Sequence, residues 1–248
     1  MGRLNDKIAV VTGAGRGIGK AIAEKLASEG STVVVSDVDG ESAAATAKEL
    51  CGGAVGLHAD VASKESVEAM IDEVRTRFGR LDVLVNNAGW DKAEPFIDSS
   101  ESDWDRIIAI NLYGTLHTTK AALPLMVERQ SGSIVNLGSD AARVGSSGEA
   151  VYSAAKGGIV SFTKTLAREM ARNRINVNCV CPGPTDTELF ASIGGDNPKL
   201  RESLTKAIPF RRLAEPRDLA NTVAFFASDE AGYLTGQTVS VSGGLTMS

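Results

Sequence analysis

The chain has 248 residues, 43% hydrophobic and 23% charged, enough for one large α/β domain or two small ones with a sizeable core. Its formal net charge is -5 and its Lys and Arg are scattered, which disfavours nucleic acid as a partner. Apolar runs such as "TVVVS" and "TVAFFA" are far too short to span a bilayer, so no membrane partner is expected.

The opening "MGRLNDK" lacks the apolar stretch of a signal peptide. Three cysteines, Cys51, Cys179 and Cys181, are too few for a disulfide framework and are expected as buried reduced thiols of a cytoplasmic protein. The two histidines, His58 and His117, have no ligand-like spacing to them, so no metal is expected.

The first predicted strand, "KIAVVTG", runs into "VTGAGRGIGKAI". Glycines at 13, 15, 17 and 19 precede a helix expected over Ile18 to Glu29. Glycine lets the backbone turn tightly and approach a pyrophosphate, while a helix N-terminus supplies free N–H groups and positive dipole. The spacing reads G-x-x-x-G-x-G over Gly13, Gly17 and Gly19, placed between strand and helix as nucleotide binding requires. The second strand, "STVVVSD", ends at Asp37, the position of an acid that holds an adenosine ribose. A carboxylate there repels a 2′-phosphate, and no Arg or Lys lies beside it in "SDVDGE", which points to NAD. Asp39 is the alternative acid, although Asp is expected in a turn anyway.

Further strands are expected at "AVGLHADV", "LDVLVNNAG", "GSIVNLGS", "INVNCVCPG" and "QTVSVSGG", with helices such as Ser66 to Phe78 and Trp104 to Leu125 between them. Near-continuous apolar strands alternating with helices predict one doubly wound, Rossmann-type α/β domain over 1–248, built on a seven-stranded mostly parallel sheet. On "INVNCVCPG" the thiols of Cys179 and Cys181 would share a face. A helix carrying "AVYSAAKGGIV" puts Tyr152 and Lys156, four apart, on one side, with only small residues between. By spacing alone this is a surface pair. The excursion from Thr185 to Pro216 follows a strand end, where open α/β sheets bind ligands, and reads as a lid or as a packed surface segment.

Taken in order, these segments resemble the short-chain dehydrogenase/reductase family over almost the whole length. "TGAGRGIG" is similar to its cofactor turn, "NNAG" to its fourth-strand motif and "IAINLYG" to its asparagine segment. "SIVNLGS" ends thirteen residues before Tyr152, "YSAAK" matches Tyr-x-x-x-Lys, and "CPGPTDT" and "YLTGQTVSVSGG" complete the pattern. The resemblance implies hydride transfer at a nicotinamide, with Tyr152 moving the proton, Lys156 steadying it and binding the nicotinamide ribose, Ser139 holding the substrate oxygen and Asn111 supporting Lys156. It implies cofactor contacts from Gly13, Arg16, Ile18, Gly19, Asp37, Asp60, Val61, Asn87, Ala88, Gly89, Tyr152, Lys156, Pro182, Gly183, Thr185 and Thr187. Asp60 and Val61 are expected to close the third strand, and Arg16 either approaches phosphate or is solvated. A tyrosine titrating near pH 10 needs a nearby positive charge to act as a base, and Lys156 is expected to supply it.

The segments "GWDKAEPF" and "SDAARVGSSGEAVY" should line the substrate pocket. Their wording resembles first the branch that oxidises alicyclic β-hydroxyacyl-CoA esters such as 2-hydroxycyclohexanecarboxyl-CoA, and next the 3-oxoacyl-acyl-carrier-protein reductases. The latter usually prefer NADPH, against which Asp37 argues. A sugar or steroid alcohol is a more distant alternative, and a non-catalytic nucleotide sensor more distant still. Trp90 is a candidate pocket wall or a structural aromatic; Arg143 is a candidate for an acyl-CoA phosphate or acyl carboxylate, or a solvated loop arginine. Family members bury the matching helices and C-terminal strand between subunits, so a homotetramer is expected.

Overall fold

The computed structural model describes residues 2–247; the outermost residues of the expected domain, 1 and 248, lie outside the described residues. The strands are β1 (Ile8–Thr12), β2 (Thr32–Asp37), β3 (Val55–His58), β4 (Val83–Asn86), β5 (Gly132–Leu137), β6 (Ile175–Pro182) and β7 (Thr238–Val241). They form one sheet in the order β3-β2-β1-β4-β5-β6-β7, and each pairing is parallel, where the sequence led to a mostly parallel sheet. The third strand stops at His58, so Asp60 and Val61 sit in the turn beyond it rather than at its end.

Helices cover both faces because both faces are apolar. Ala9, Val11, Val33, Val35, Val83 and Val85 point to one side and pack with α1 (Gly17–Ser28) and α10 (Pro216–Ala227) through Ile22, Leu26, Leu219 and Val223. The alternate residues Val10, Val34 and Leu84 point to the other side. There they meet Met70, Ile71 and Val74 of α3 (Lys64–Phe78), Leu125 and Met126 of α5 (Gly114–Arg129) and Leu166 of α7 (Ala150–Met170). Period-two alternation with no polar face is the signature of a strand covered on both sides. The remaining helices are α2 (Gly40–Glu49), α4 (Glu101–Ile108), the short α6 (Ala141–Val144) and α8 (Glu188–Phe190), and α9 (Pro198–Ala207). No helix among the described residues is long and apolar enough to cross a membrane.

A buried polar ladder interrupts the second core. Asn86 and Asn136 are register partners on β4 and β5, and Asn86 Nδ2 donates to Asn136 Oδ1 at 2.8 Å. Asn86 also takes a hydrogen bond from Thr118 and gives one to Thr119 on α5, while Asn136 Nδ2 donates to Thr163 on α7 at 2.9 Å. Each such bond fixes a helix against the sheet at one point, because slippage would leave a buried amide unpaired. The ladder thereby sets the height of α7, the helix that carries Tyr152 and Lys156.

Cys179 and Cys181 are buried on one face of β6 with their sulfurs 3.9 Å apart. Cys51 departs from expectation: it lies exposed in the turn after α2.

Candidate active site

A cleft of about 540 Å³ opens at the carboxyl ends of the strands, where the order reverses between β1 and β4. That volume suits a small-molecule site. Its floor is the turn from β1 into α1. Gly13 adopts φ +61°, and a Cβ there would lie 2.7 Å from Ala88 Cα. A Cβ on Gly19 would lie 2.1 Å from the Gly13 carbonyl oxygen and 2.5 Å from Asn87 Nδ2. Only glycine fits either position. Asn87 Nδ2 donates to the carbonyls of Thr12 and Gly13, both at 2.9 Å. Thr12 Oγ1 in turn accepts from the backbone N–H groups of Asn87 and Ala88, both at 3.1 Å. Thr12 escaped the sequence reading; its sole signal was a hydroxyl where the strand meets the first glycine.

Helix α1 starts uncapped. Arg16 at its N-cap makes no side-chain cap bond and the first turn carries no acid, whereas Asp39, Ser63 and Ser100 cap α2, α3 and α4. The first-turn residues Gly17, Ile18 and Gly19 line the cleft, so their N–H groups suit an anion placed there. Asp37, 9% exposed, closes the same cleft beyond the turn. Its Oδ2 accepts from Gly15 N at 2.9 Å and its Oδ1 from Asp39 N at 3.0 Å. Asp39 instead caps α2, accepting from the N–H groups of Glu41 and Ser42. Of the two acids, Asp37 faces the cleft. A glycine cradle, a free helix start and a terminal carboxylate together fit a dinucleotide.

At the other end, α7 brings Lys156 Nζ within 5.7 Å of the Tyr152 ring centre, so the shared face inferred from spacing exists. Lys156 is buried and donates to the Leu137 carbonyl at 2.8 Å; burial pulls its pKa down to about 8. Burial, then the carboxylates of Asp91 and Glu149, push the Tyr152 phenol up, while the neighbouring Ser139 hydroxyl works against them. The Lys156 ammonium is turned to the Leu137 carbonyl on the same side of α7 as the Tyr152 ring.

Asn111 is fully buried in a single π-helical turn, Ala109–Tyr113, between α4 and α5. The helix expected to run unbroken from Trp104 to Leu125 is interrupted there, as π-bulges often are at functional sites. Asn111 Nδ2 donates to the carbonyls of Trp90 at 2.6 Å and Ile107 at 2.9 Å. A Cβ on Gly89 would lie 2.9 Å from Asn111 Oδ1 and 3.7 Å from Lys156 Nζ. Gly89 is thus the thin spacer between the amide and the ammonium.

Residues 13–246 match the family model described as enoyl-(acyl carrier protein) reductase. The chain is 39% identical over 241 residues to the 3-oxoacyl-[acyl-carrier-protein] reductase FabG of Escherichia coli K12, covering 97% of this chain and 98% of that protein. It is 42% identical over 245 residues to FabG of Staphylococcus aureus Mu50, covering 97% and 98%, and 42% identical over 246 residues to FabG of Staphylococcus epidermidis RP62A, covering 98% and 100%. The chain belongs to the short-chain dehydrogenase/reductase family. Oxidoreductases of this family work with a nicotinamide cofactor.

Against that family's pattern, the expected cofactor contacts line the cleft with two exceptions. Gly183 packs against Ser242, where a Cβ would meet the serine Cβ at 2.7 Å, and buried Thr185 turns its hydroxyl to the Gly183 carbonyl. Arg16 lines the cleft and its Nε lies 3.8 Å from Glu188 of α8. Trp90 lines it too, with the Arg106 guanidinium 4.0 Å from its ring centre. Arg106 was invisible in the sequence as one more charge on an amphipathic helix. Arg143 is not brought to the cleft: it donates to Ser240 Oγ of β7, which donates to Asp140.

Proposed function

We propose that this protein reduces a β-ketoacyl thioester, with NADH as the cofactor, and that 3-oxoacyl-acyl-carrier-protein is the best-supported substrate. The observation that carries this reading is Tyr152 beside Lys156 at the inner end of a dinucleotide-shaped cleft. The substrate loops alone ranked oxidation of an alicyclic acyl-CoA first. Relatives named as 3-oxoacyl-acyl-carrier-protein reductases reverse that order. Buried Tyr152 holds its proton, the state needed to deliver it to a carbonyl oxygen.

A reduced nicotinamide held in the cleft would supply the hydride. Tyr152 then gives its hydroxyl proton to the oxygen of the former ketone, and the Ser139 hydroxyl hydrogen-bonds that same oxygen. Lys156, held by Leu137, keeps a positive charge beside the phenolate that forms. Asn111, pinned between two carbonyls, holds the wall around Lys156. Asp37 would accept from the adenosine ribose hydroxyls, which supports NAD. The excursion over 185–216 serves as a lid; Thr187, Glu188 and Leu189 of it line the cleft.

Tyr152→Phe should bind cofactor as the parent does and lose turnover by at least about a hundredfold, the low end of general acid–base effects. Lys156→Ala should weaken both cofactor binding and turnover. Parent-like turnover of the phenylalanine variant on acetoacetyl thioesters would remove Tyr152 from the reaction.

A further inference from the structure

Ser139 sits in the turn between β5 and α6, and three segments converge on the residue after it. Asp140 is 5% exposed. Its N–H donates to the Pro182 carbonyl at 3.0 Å, and its carbonyl accepts from the N–H groups of Arg143 at 2.9 Å and Val144 at 3.0 Å. Its carboxylate reaches β7. There Oδ1 accepts from Ser240 Oγ, which itself accepts from Arg143 Nη1 at 2.5 Å, while the buried Oδ2 has no donor. A serine hydroxyl carries one proton, so an oxygen already occupied by the guanidinium turns that proton to the carboxylate. Arg143, Ser240 and Asp140 thus form a directed link, cation to anion, between α6 and β7.

The surroundings show why a link is needed there. Helix α6 is a single turn, Ala141–Val144, with no side-chain cap, and so short a helix cannot hold itself. Beyond it, residues 144–147 are exposed and Gly145 and Gly148 take φ of +82° and +85°, so no packing braces it from that side. Ser139 depends on this turn, because its Oγ accepts from the N–H of Ala141, the first residue of α6, at 3.1 Å. With its oxygen held in that way, the hydroxyl keeps its proton for another acceptor.

We infer that Asp140, Ser240 and Arg143 are positioning residues: by fastening α6 to β7 they hold the Ser139 hydroxyl at the angle from which it donates to the substrate oxygen. The inference rests on the reading of Ser139 as that donor and extends it to three residues that do not line the cleft. It gives Arg143 a task within the fold in place of one on the substrate.

The test is a double-mutant cycle on acetoacetyl-CoA with NADH, combining Ser240→Ala with Ser139→Ala. Ser240→Ala should lower kcat by about tenfold, since a group misplaced by about 1 Å can cost a hundredfold. KM for NADH should stay within about twofold, because the link lies outside the cofactor cleft. Ser240→Thr, which keeps the hydroxyl, should bring kcat back to within about twofold of the parent. In the Ser139→Ala background, Ser240→Ala should cost no more than about twofold, because the group it positions is already gone. A purely structural role would repeat the full loss in that background. That repetition, or Ser240→Ala turnover equal to the parent, overturns the proposal. Parent-like turnover of Ser139→Ala overturns the underlying reading instead. If the melting curve shows that Ser240→Ala fails to fold, Arg143→Met, at a half-buried position, breaks the same link from its other end and decides the cycle by the same criteria.

Discussion

The proposed preference for NAD rests on a single carboxylate, that of Asp37. Both of its oxygens already accept backbone N–H groups, from Gly15 and Asp39, so it is held in place before any ribose arrives. A 2′-phosphate brought to it would meet like charge in a partly desolvated cleft, a contact that can cost several kcal/mol. At about 1.4 kcal/mol per decade, NAD should be preferred over NADP by about a hundredfold or more. Asp37→Ser should weaken NAD and relieve the penalty on NADP, so the ratio narrows from both ends. A further Val38→Arg change, at an exposed position on the cleft wall, should narrow it again by gripping the phosphate. The measurement is kcat/KM for the two cofactors in parent and variants. A parent that prefers NADP, or a ratio indifferent to Asp37→Ser, sinks this account of the second strand.

At the scale of elements, the segment over 185–216 differs from the helices around the sheet. Its two ends are pinned together by the Thr185–Ala214 bridge and by Asp186 N to Ala214 O at 2.9 Å. Between them, α9 has no buried residue. Arg201 ties it to the start of the segment, bonding Asp186 at 2.7 Å and the Gly195 carbonyl at 3.1 Å, while buried Ile208 anchors the chain just beyond it. An exposed pair of this kind is worth at most about 1 kcal/mol. Arg201→Ala should therefore speed amide hydrogen exchange across the segment and raise KM for the thioester by up to about fivefold, with kcat little changed. Exchange as slow as in α7, unaltered by the variant, would mean a packed excursion and no lid. The same scale shows what was readable in the chain. The inner strands were legible because both of their faces are apolar, and Tyr152 with Lys156 because helical spacing is rigid. The π-turn at Asn111 left no mark, since it depends on the Trp90 carbonyl reaching Asn111 from another loop. Nor did Asp91 stand out: a carboxylate in "GWDKAEPF" reads as one more exposed acid until the fold buries it.

For the whole molecule, the sheet ends at β7 with one edge unpaired within the chain. Val239 on that strand is exposed, and Tyr233, Leu234, Leu245 and Met247 around it are exposed as well. An apolar edge strand left in solvent is an aggregation hazard that folded chains ordinarily cover. A twofold contact would bury this edge against a second copy, and a second, different twofold interface would close a tetramer. The homotetramer expected from the family resemblance would cover this surface. Light scattering at micromolar concentration should give four times the chain mass. Val239→Lys should shift the population to smaller species and make the melting temperature depend on protein concentration, because assembly then contributes to stability by mass action. Were the parent monomeric at that concentration, or the variant still fully tetrameric, β7 would not lie between subunits, and the exposed C-terminal aromatic and aliphatic residues would need another explanation.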